Sequence, residues 1–283
     1  MAQQKADTQV KKRYNLKNDV VFKAFFARKG NEEFLIDFLN ALLKIQIKNI
    51  TITDEVSLQK LREEEKGGRL DLQAELDSGI IVDIEMQIKN EYNIEERTTF
   101  YSTKVISKKT KKGIDYKDIK QVIMINILGY EMLPFDEYVS KTAIVLDKHR
   151  NYEVLKGIKW YFIELPKFRR QNPDMDEKLN QWLAFIDDSD RGLIKMAEKK
   201  NKTLEKARKE MNYLTGDAEV QRLAELREKW EMDRISAINF AKRKVKEEDA
   251  RKMLQEKLSI EMIERITGLS KEEIKDIESE KNN

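Results

Sequence analysis

The sequence predicts an α/β protein of the α+β kind that gives way to an all-helical C-terminal region. Three observations carry this. Arg69 to Lys89 (RLDLQAELDSGIIVDIEMQIK) alternates apolar with polar on both sides of Asp77-Ser78-Gly79, the pattern of a β-hairpin. Gln121 to Leu128 (QVIMINIL) is almost continuously apolar, as a strand buried on both faces is. After Pro173 strand patterns stop, glycine and proline nearly vanish, and Leu, Ala, Lys and Glu recur at helical spacing.

In chain order, residues 1 to about 15 are polar and predicted disordered. Asn18 or Asp19 can cap a short helix whose Phe22, Phe25 and Phe26 point inward. Asn31, Glu32 and Glu33 start a second helix with Phe34, Leu35, Phe38, Leu39 and Leu42 on its core face. An edge strand is predicted over Ile50 to Thr53, and Glu63 to Lys66 is a solvated connection.

The hairpin sorts its residues by face. Leu70, Leu72, Ala74 and Leu76 share one side of the first strand, and Arg69, Asp71, Gln73 and Glu75 the other. In the second strand Ile80, Val82, Ile84, Met86 and Ile88 oppose Asp83, Glu85, Gln87 and Lys89. A three-residue loop with Gly79 left-handed sets Leu76 against Ile80, hence Gln73 against Asp83 and Asp71 against Glu85. Directly paired residues have Cβ atoms about 5 Å apart, so two carboxylates could share one hard cation. The alternative is a hairpin with one plain solvated face.

Asn93, Glu95 and Glu96 open a helix expected to reach about Lys112 and stop at Gly113. Arg97, Tyr101, Lys104 and Lys108 form one stripe on it, either a solvated face or a surface for phosphate groups. Ala143 to Leu146 and Lys159 to Leu165 are further strands of the same sheet, the latter stopped by Pro166, and the mixed module spans 16–170.

Residues 171–257 form a helical region, with Trp182, Phe185 and Ile186 on a short helix. Helices over about Asp190 to Leu214 and Asp217 to Leu258 follow, a packing or dimerisation arm that makes a homo-oligomer the expected assembly. In the tail, 258–283, Ser259 caps one helix, Gly268 ends it, and Ser270 with Glu273 is a capping box for the next. That is a helix-turn-helix skeleton. Glu272, Glu273, Asp276 and Glu278 on its second helix argue against DNA reading by that helix.

Composition narrows the chemistry. Charged residues are 38% and hydrophobic ones 40% of 283, and Lys+Arg 55 nearly cancels Asp+Glu 52 to give +3, so any basic surface is local. The chain has no cysteine and one histidine, His149, which excludes disulfides, zinc ribbons, iron–sulfur clusters and multi-histidine metal sites. A catalytic triad on His149, set among Asp147, Lys148 and Arg150, is disfavoured against a surface loop. Carboxylates, lysines and a hard metal remain. No apolar run approaches a membrane span and the first residues lack a signal-peptide core, which predicts a cytoplasmic protein.

Asp71 followed by Glu85-Met86-Gln87 in an apolar strand resembles the PD-(D/E)XK nuclease superfamily. More narrowly, Lys17-Asn18-Asp19-Val20-Val21-Phe22-Lys23, Arg69-Leu70-Asp71-Leu72, Val82 to Gln87 and Glu96-Arg97-Thr98-Thr99-Phe100-Tyr101 resemble its recombination-promoting nuclease or transposase family. The tail from Leu258 is similar to one found at the end of such proteins. The resemblance implies a restriction-endonuclease-like αβββαβ core that cuts DNA with magnesium or manganese. It implies Asp71 and Glu85 as catalytic metal ligands, with Gln87 in the place of the usual lysine. Asp19 would be a further acidic ligand and Met86 would give its backbone carbonyl. In the nuclease reading the basic groups of the α-helical stripe, Arg97, Lys104 and Lys108, together with Lys89, are the candidate phosphate contacts.

Gln87 departs from the family pattern, because an amide can hydrogen-bond a water or a phosphate and carries no charge. Lys89 or Lys23 could restore the charge. Without it the chain would cut slowly or bind without cutting, as a DNA-binding or oligomerising scaffold. A helical adaptor with no nucleic-acid partner is the third reading.

Overall fold

The structure is a computed structural model that describes residues 14–53, 72–110 and 113–280. Contacts divide the chain into one unit up to Glu225 and a second from Leu226. No helix among the described residues is long and apolar enough to cross a membrane.

The first unit begins with two short helices, of which only the first has its side-chain N-cap; Asn31, before the second, donates from Nδ2 to the Phe25 carbonyl at 2.7 Å instead. In α1, Asp19–Phe26, the Asn18 side chain accepts the Val21 N–H at 3.2 Å. Helix α2, Glu32–Leu43, buries Phe34, Leu35, Phe38, Leu39 and Leu42. Phe25 of α1 stacks on Phe34 at 5.2 Å, which joins the two helices early in the chain.

The central sheet has six strands. In chain order these are β1 (Ile50–Ile52), β2 (Leu72–Leu76), β3 (Ile81–Gln87), β4 (Val122–Leu128), β5 (Val139–Lys141) and β8 (Ile158–Glu164). Their order across the sheet is β1-β2-β3-β4-β8-β5. Strands β1 to β3 are antiparallel neighbours, while β3, β4 and β8 run parallel. Helix α3, Ile94–Lys109, is the crossover between the parallel strands β3 and β4. The run α1, β1–β2–β3, α3, β4 is the expected αβββαβ core. The turn is as expected: Gly79 has φ +81°, and the Leu76 N–H donates to the Ile80 carbonyl at 2.9 Å.

Each sheet face has its own cover. Leu72, Ala74, Val82, Ile84, Ile123, Ile125, Ile127 and Ile163 join α1 and α2 in the main core. On the other face, Val105 of α3 packs against Ile81, Val122 and Met124, and Ile94 against Leu128 and Phe162.

Some expectations change. Ala143 to Leu146 does not enter the central sheet. Its β6 (Ile144–Leu146) pairs with β7 (His149–Leu155) in a separate, mostly exposed two-stranded sheet, and β5 takes the edge beside β8. A short apolar run without alternation does not specify its pairing partner. Pro166 opens a helix, α4 (Leu165–Arg170), where a first turn needs no N–H. Helix α3 ends at Lys109, and residues 111–112 lie outside the described residues.

The stretch from Asp190 to Leu214 splits at Asn201 into α6 (Arg191–Lys200) and α7 (Lys202–Leu214), after α5 (Lys178–Asp187). Trp182 and Phe185 of α5 and Leu204 and Met211 of α7 belong to the main core. The division between units falls inside α8, Ala218–Gln255, a helix of 38 residues.

In the second unit, Ala250, Ile263, Leu269, Ile274 and Ile277 form a small core. They lie on the end of α8, on α9 (Ile260–Thr267), on α10 (Lys271–Glu280) and between the last two. The expected punctuation is present. Gly268 is left-handed at φ +67°, the Ser270 N–H donates to Glu273 Oε2 at 2.8 Å, and the Glu273 N–H donates to Ser270 Oγ at 3.2 Å.

Asp37 of α2 ties three later groups to the first helices. It accepts from Trp182 Nε1 at 2.9 Å, Asn201 Nδ2 at 3.1 Å and Lys178 Nζ at 3.1 Å. Burial pushes its carboxyl up, but these hydrogen bonds outweigh burial and hold the pKa below its ordinary value. A lowered folded-state pKa adds stability above the unfolded value and loses it as pH falls through the folded one. Asp37→Ala should therefore cost about 2 kcal/mol near neutral pH, with the deficit shrinking below about pH 4. Thermal melts of both proteins across that range test it, and a pH-independent deficit would assign the loss to packing alone.

Candidate active site

Alternation along β3 sends Val82, Ile84 and Met86 toward the main core and Ile81, Asp83, Glu85 and Gln87 under α3. Asp83, Glu85 and Gln87 are 4%, 2% and 7% exposed. Removing a carboxylate from water costs several kcal/mol, so two on one strand face mark a place where the fold spends stability.

Neighbouring strands complete a polar band. Gln73 pairs with Asp83 in the β2–β3 ladder and donates from Nε2 to Asp83 Oδ2 at 3.1 Å. Glu85 lies beside Asn126 of β4, whose Oδ1 accepts from Thr98 Oγ1 of α3 at 3.2 Å. Asn126 Nδ2 donates to the Tyr161 carbonyl at 3.4 Å. Gln87 Nε2 donates to the Lys89 carbonyl at 3.4 Å, while Gln87 Oε1 is buried without a hydrogen bond.

The band runs toward the carboxyl ends of the parallel strands, the edge where sheets of this kind take ligands. There Gln87, Leu128 and Glu164 stand side by side. Glu164 is fully buried and accepts Lys167 Nζ at 2.6 Å and the Leu133 N–H at 3.1 Å, with a further short hydrogen bond from the Met132 N–H. Lys167 also donates to the Leu133 carbonyl at 2.8 Å. This pair has its hydrogen bonds made and fixes the loop after β4.

Gly129 starts that loop. Its N–H donates to the Gln87 carbonyl at 2.9 Å, and a Cβ there would lie 2.4 Å from the Ile88 carbonyl oxygen. Only glycine lets the two strand ends approach this closely.

Helix α3 covers the band with Ile94, Thr98, Ser102 and Val105. The predicted stripe flanks this buried side, with Arg97 and Tyr101 half-buried and Lys104 and Lys108 exposed. Arg97 pairs with Glu91 at 2.6 Å, and Lys104 Nζ lies 5.8 Å from the Tyr101 ring centroid. Lys89 is exposed just beyond β3.

Glu85, Gln87 and the Met86 backbone thus share one strand, and Asp71 lies outside the described residues. Asp19 begins α1, whose apolar side chains share the main core with Val82 and Ile84, and Lys23 is buried in the same helix. Among the described residues no three acidic or histidine groups converge on one point. Even so, the carboxylates of Asp83 and Glu85 and the buried Gln87 Oε1 are hard oxygen donors of the type magnesium prefers. Sequence reasoning assigned no role to Asn126, Thr98, Glu164 or Lys167. Asn126 had a signal, a single amide inside the apolar run Val122 to Leu128. Glu164 and Lys167 had none, since their burial comes from the loop that folds over them.

A family model described as PD-(D/E)XK nuclease family transposase matches residues 16–241. A second, described as the C-terminal HTH domain of the Rpn/YhgA-like nuclease family, matches residues 250–279. No curated protein and no solved structure matches the chain.

Gly129→Ala should lower stability by about 1–3 kcal/mol, because the new methyl group meets backbone that has nowhere to move. A melting temperature equal to that of the unaltered protein would show that the strand ends do not need this approach.

Proposed function

Because the chain belongs to the PD-(D/E)XK nuclease family transposases, we propose that it is a metal-dependent DNA endonuclease acting in recombination or transposition. The observation that carries this reading is the pair Glu85 and Gln87, buried on one face of a central strand at the carboxyl edge of the sheet.

In this reading Asp71, one residue before β2, and Glu85 hold a magnesium or manganese ion. The family pattern adds the Met86 carbonyl and Asp19. A bound ion would neutralise charge at the phosphate and lower the pKa of a water. The residues of the chain do the rest. Glu85 orients the attacking water and can accept its proton. Gln87 offers Oε1 to a water or Nε2 to a phosphate oxygen. Lys89, Arg97, Lys104 and Lys108 hold the flanking backbone as phosphate contacts, which set position rather than sequence preference.

The C-terminal match supports DNA as the partner. Exposed Met232, Ile235, Ile238, Phe240 and Val245 on α8 support a homo-oligomer.

The purified protein should nick or linearise plasmid with magnesium or manganese. Asp71→Ala and Glu85→Ala should each abolish cutting and leave DNA retention in place. Undiminished cutting by both variants would sink the assignment.

The neutral amide of Gln87, standing where the family pattern has a lysine, favours one second reading, a DNA-binding scaffold that keeps the fold without cutting. Isothermal titration with magnesium separates the two. The endonuclease reading expects binding near millimolar concentration that Glu85→Gln weakens at least tenfold, and the scaffold expects no such heat.

A further inference from the structure

Among the described residues, four that are not glycine have positive φ: Lys44, Tyr92, Asp188 and Lys257. Three of them end helices. Lys44 and Asp188 are the left-handed C-caps of α2 and α5, and Lys257 follows α8 and donates its N–H to the Leu254 carbonyl at 3.1 Å. Left-handed residues are ordinary at helix ends. Tyr92, at φ 58°, sits instead between the carboxyl end of β3 and the start of α3.

A bulky aromatic residue is a poor choice for that conformation, and glycine or asparagine would adopt it at lower cost. The chain holds it there: Asn90 Oδ1 accepts the Tyr92 N–H at 2.8 Å, and the Glu91–Arg97 pair ties the segment to the first turn of α3. Nor does packing explain the ring, which is 88% exposed. The fold presents an aromatic face to solvent at a backbone cost, five residues past Gln87. Strain of this kind concentrates at functional positions.

The surroundings suggest what the ring meets. Lys89 is exposed three residues before it, and Lys104 and Lys108 are exposed further along α3. Phe100, 60% exposed, forms an edge-to-face pair with Tyr101 at 5.3 Å. Asn93 to Phe100 spans about 10 Å along the helix axis. Glu95 and Glu96 are the exposed acids of this surface, at the helix N-terminus, where the backbone dipole opposes their charge. Exposed rings among cations are the pattern with which proteins hold unpaired nucleic-acid bases. A base inside a duplex has both faces covered by its neighbours, so an exposed ring gains only from a base that has left the stack.

We propose that Tyr92 is a stacking platform for an unpaired base beside the candidate active site, which makes DNA with unpaired nucleotides the preferred substrate. The proposal rests on the DNA-endonuclease reading and names the substrate class of that site.

The test measures binding by the full chain without divalent cations, so that nothing is cut. The probes are a short fluorescein-labelled duplex and the same duplex carrying an unpaired bulge, compared by anisotropy at one salt concentration. The unaltered protein should bind the bulged DNA about tenfold more tightly. Tyr92→Ala and Tyr92→Gly should lose that preference with duplex binding unchanged, and Tyr92→Phe should keep it. The melting temperature of Tyr92→Gly should match or exceed that of the unaltered protein, because glycine relieves the left-handed strain and no buried contact is lost.

Equal binding of both DNAs by the unaltered protein overturns the proposal, as does a preference that survives Tyr92→Ala. A melting temperature several degrees lower in Tyr92→Gly also overturns it, by making the ring a structural group. Failure to bind either DNA at any salt overturns the DNA reading beneath it as well.

Discussion

Both faces of β3 are covered, and most of this structure follows from that constraint. The strand sits between β2 and β4, with α1 and α2 over one side and α3 over the other. A central strand so covered would ordinarily be apolar throughout. Here every second position under α3 from Asp83 onward is polar, and those side chains are kept from water. Neighbouring elements answer this need. Gln73 of β2 donates to Asp83, Thr98 and Asn126 meet beside Glu85, and small or polar residues, Thr98 and Ser102, replace large apolar ones on the covering face of α3.

The same constraint shapes the sheet edge. Where the parallel strands end, apolar packing gives way to a buried ion pair, Glu164 with Lys167, whose bonds to Leu133 anchor the loop after β4. Gly129 brings that loop against the end of β3. Tyr92 leaves the same edge in a backbone conformation that few aromatic residues take. The two segments that leave this edge beside Gln87 are therefore fixed by different means, one by close approach and charge, the other by an Asn90 turn and the Glu91–Arg97 pair.

Helices α5 to α7 stabilise the first unit from within its core. Trp182 and Phe185 enter the core built by Phe22, Phe25, Phe26 and Phe38, and Asp37 collects hydrogen bonds from Trp182, Lys178 and Asn201. The break at Asn201 has the same origin. Its side chain caps α7 through Thr203 and donates to Asp37, two tasks that an unbroken helix would not allow.

The amino-acid sequence by itself determined what depends on neighbours in the chain. Period and punctuation fixed α1, α2, the hairpin with its Gly79 turn, the Gln73–Asp83 register and the capping box at Ser270. The absence of cysteine and the single histidine left carboxylates as the only metal donors in number. The family motif around Glu85 was legible because its residues lie on one strand. Only the tertiary structure decided which side of the polar hairpin would be roofed, and by what. It set Asn126 beside Glu85, buried Glu164 with Lys167, and moved Ile144 to Leu146 out of the central sheet. Those outcomes depend on contacts between residues far apart in the chain, and on free-energy differences between competing pairings that local pattern does not contain.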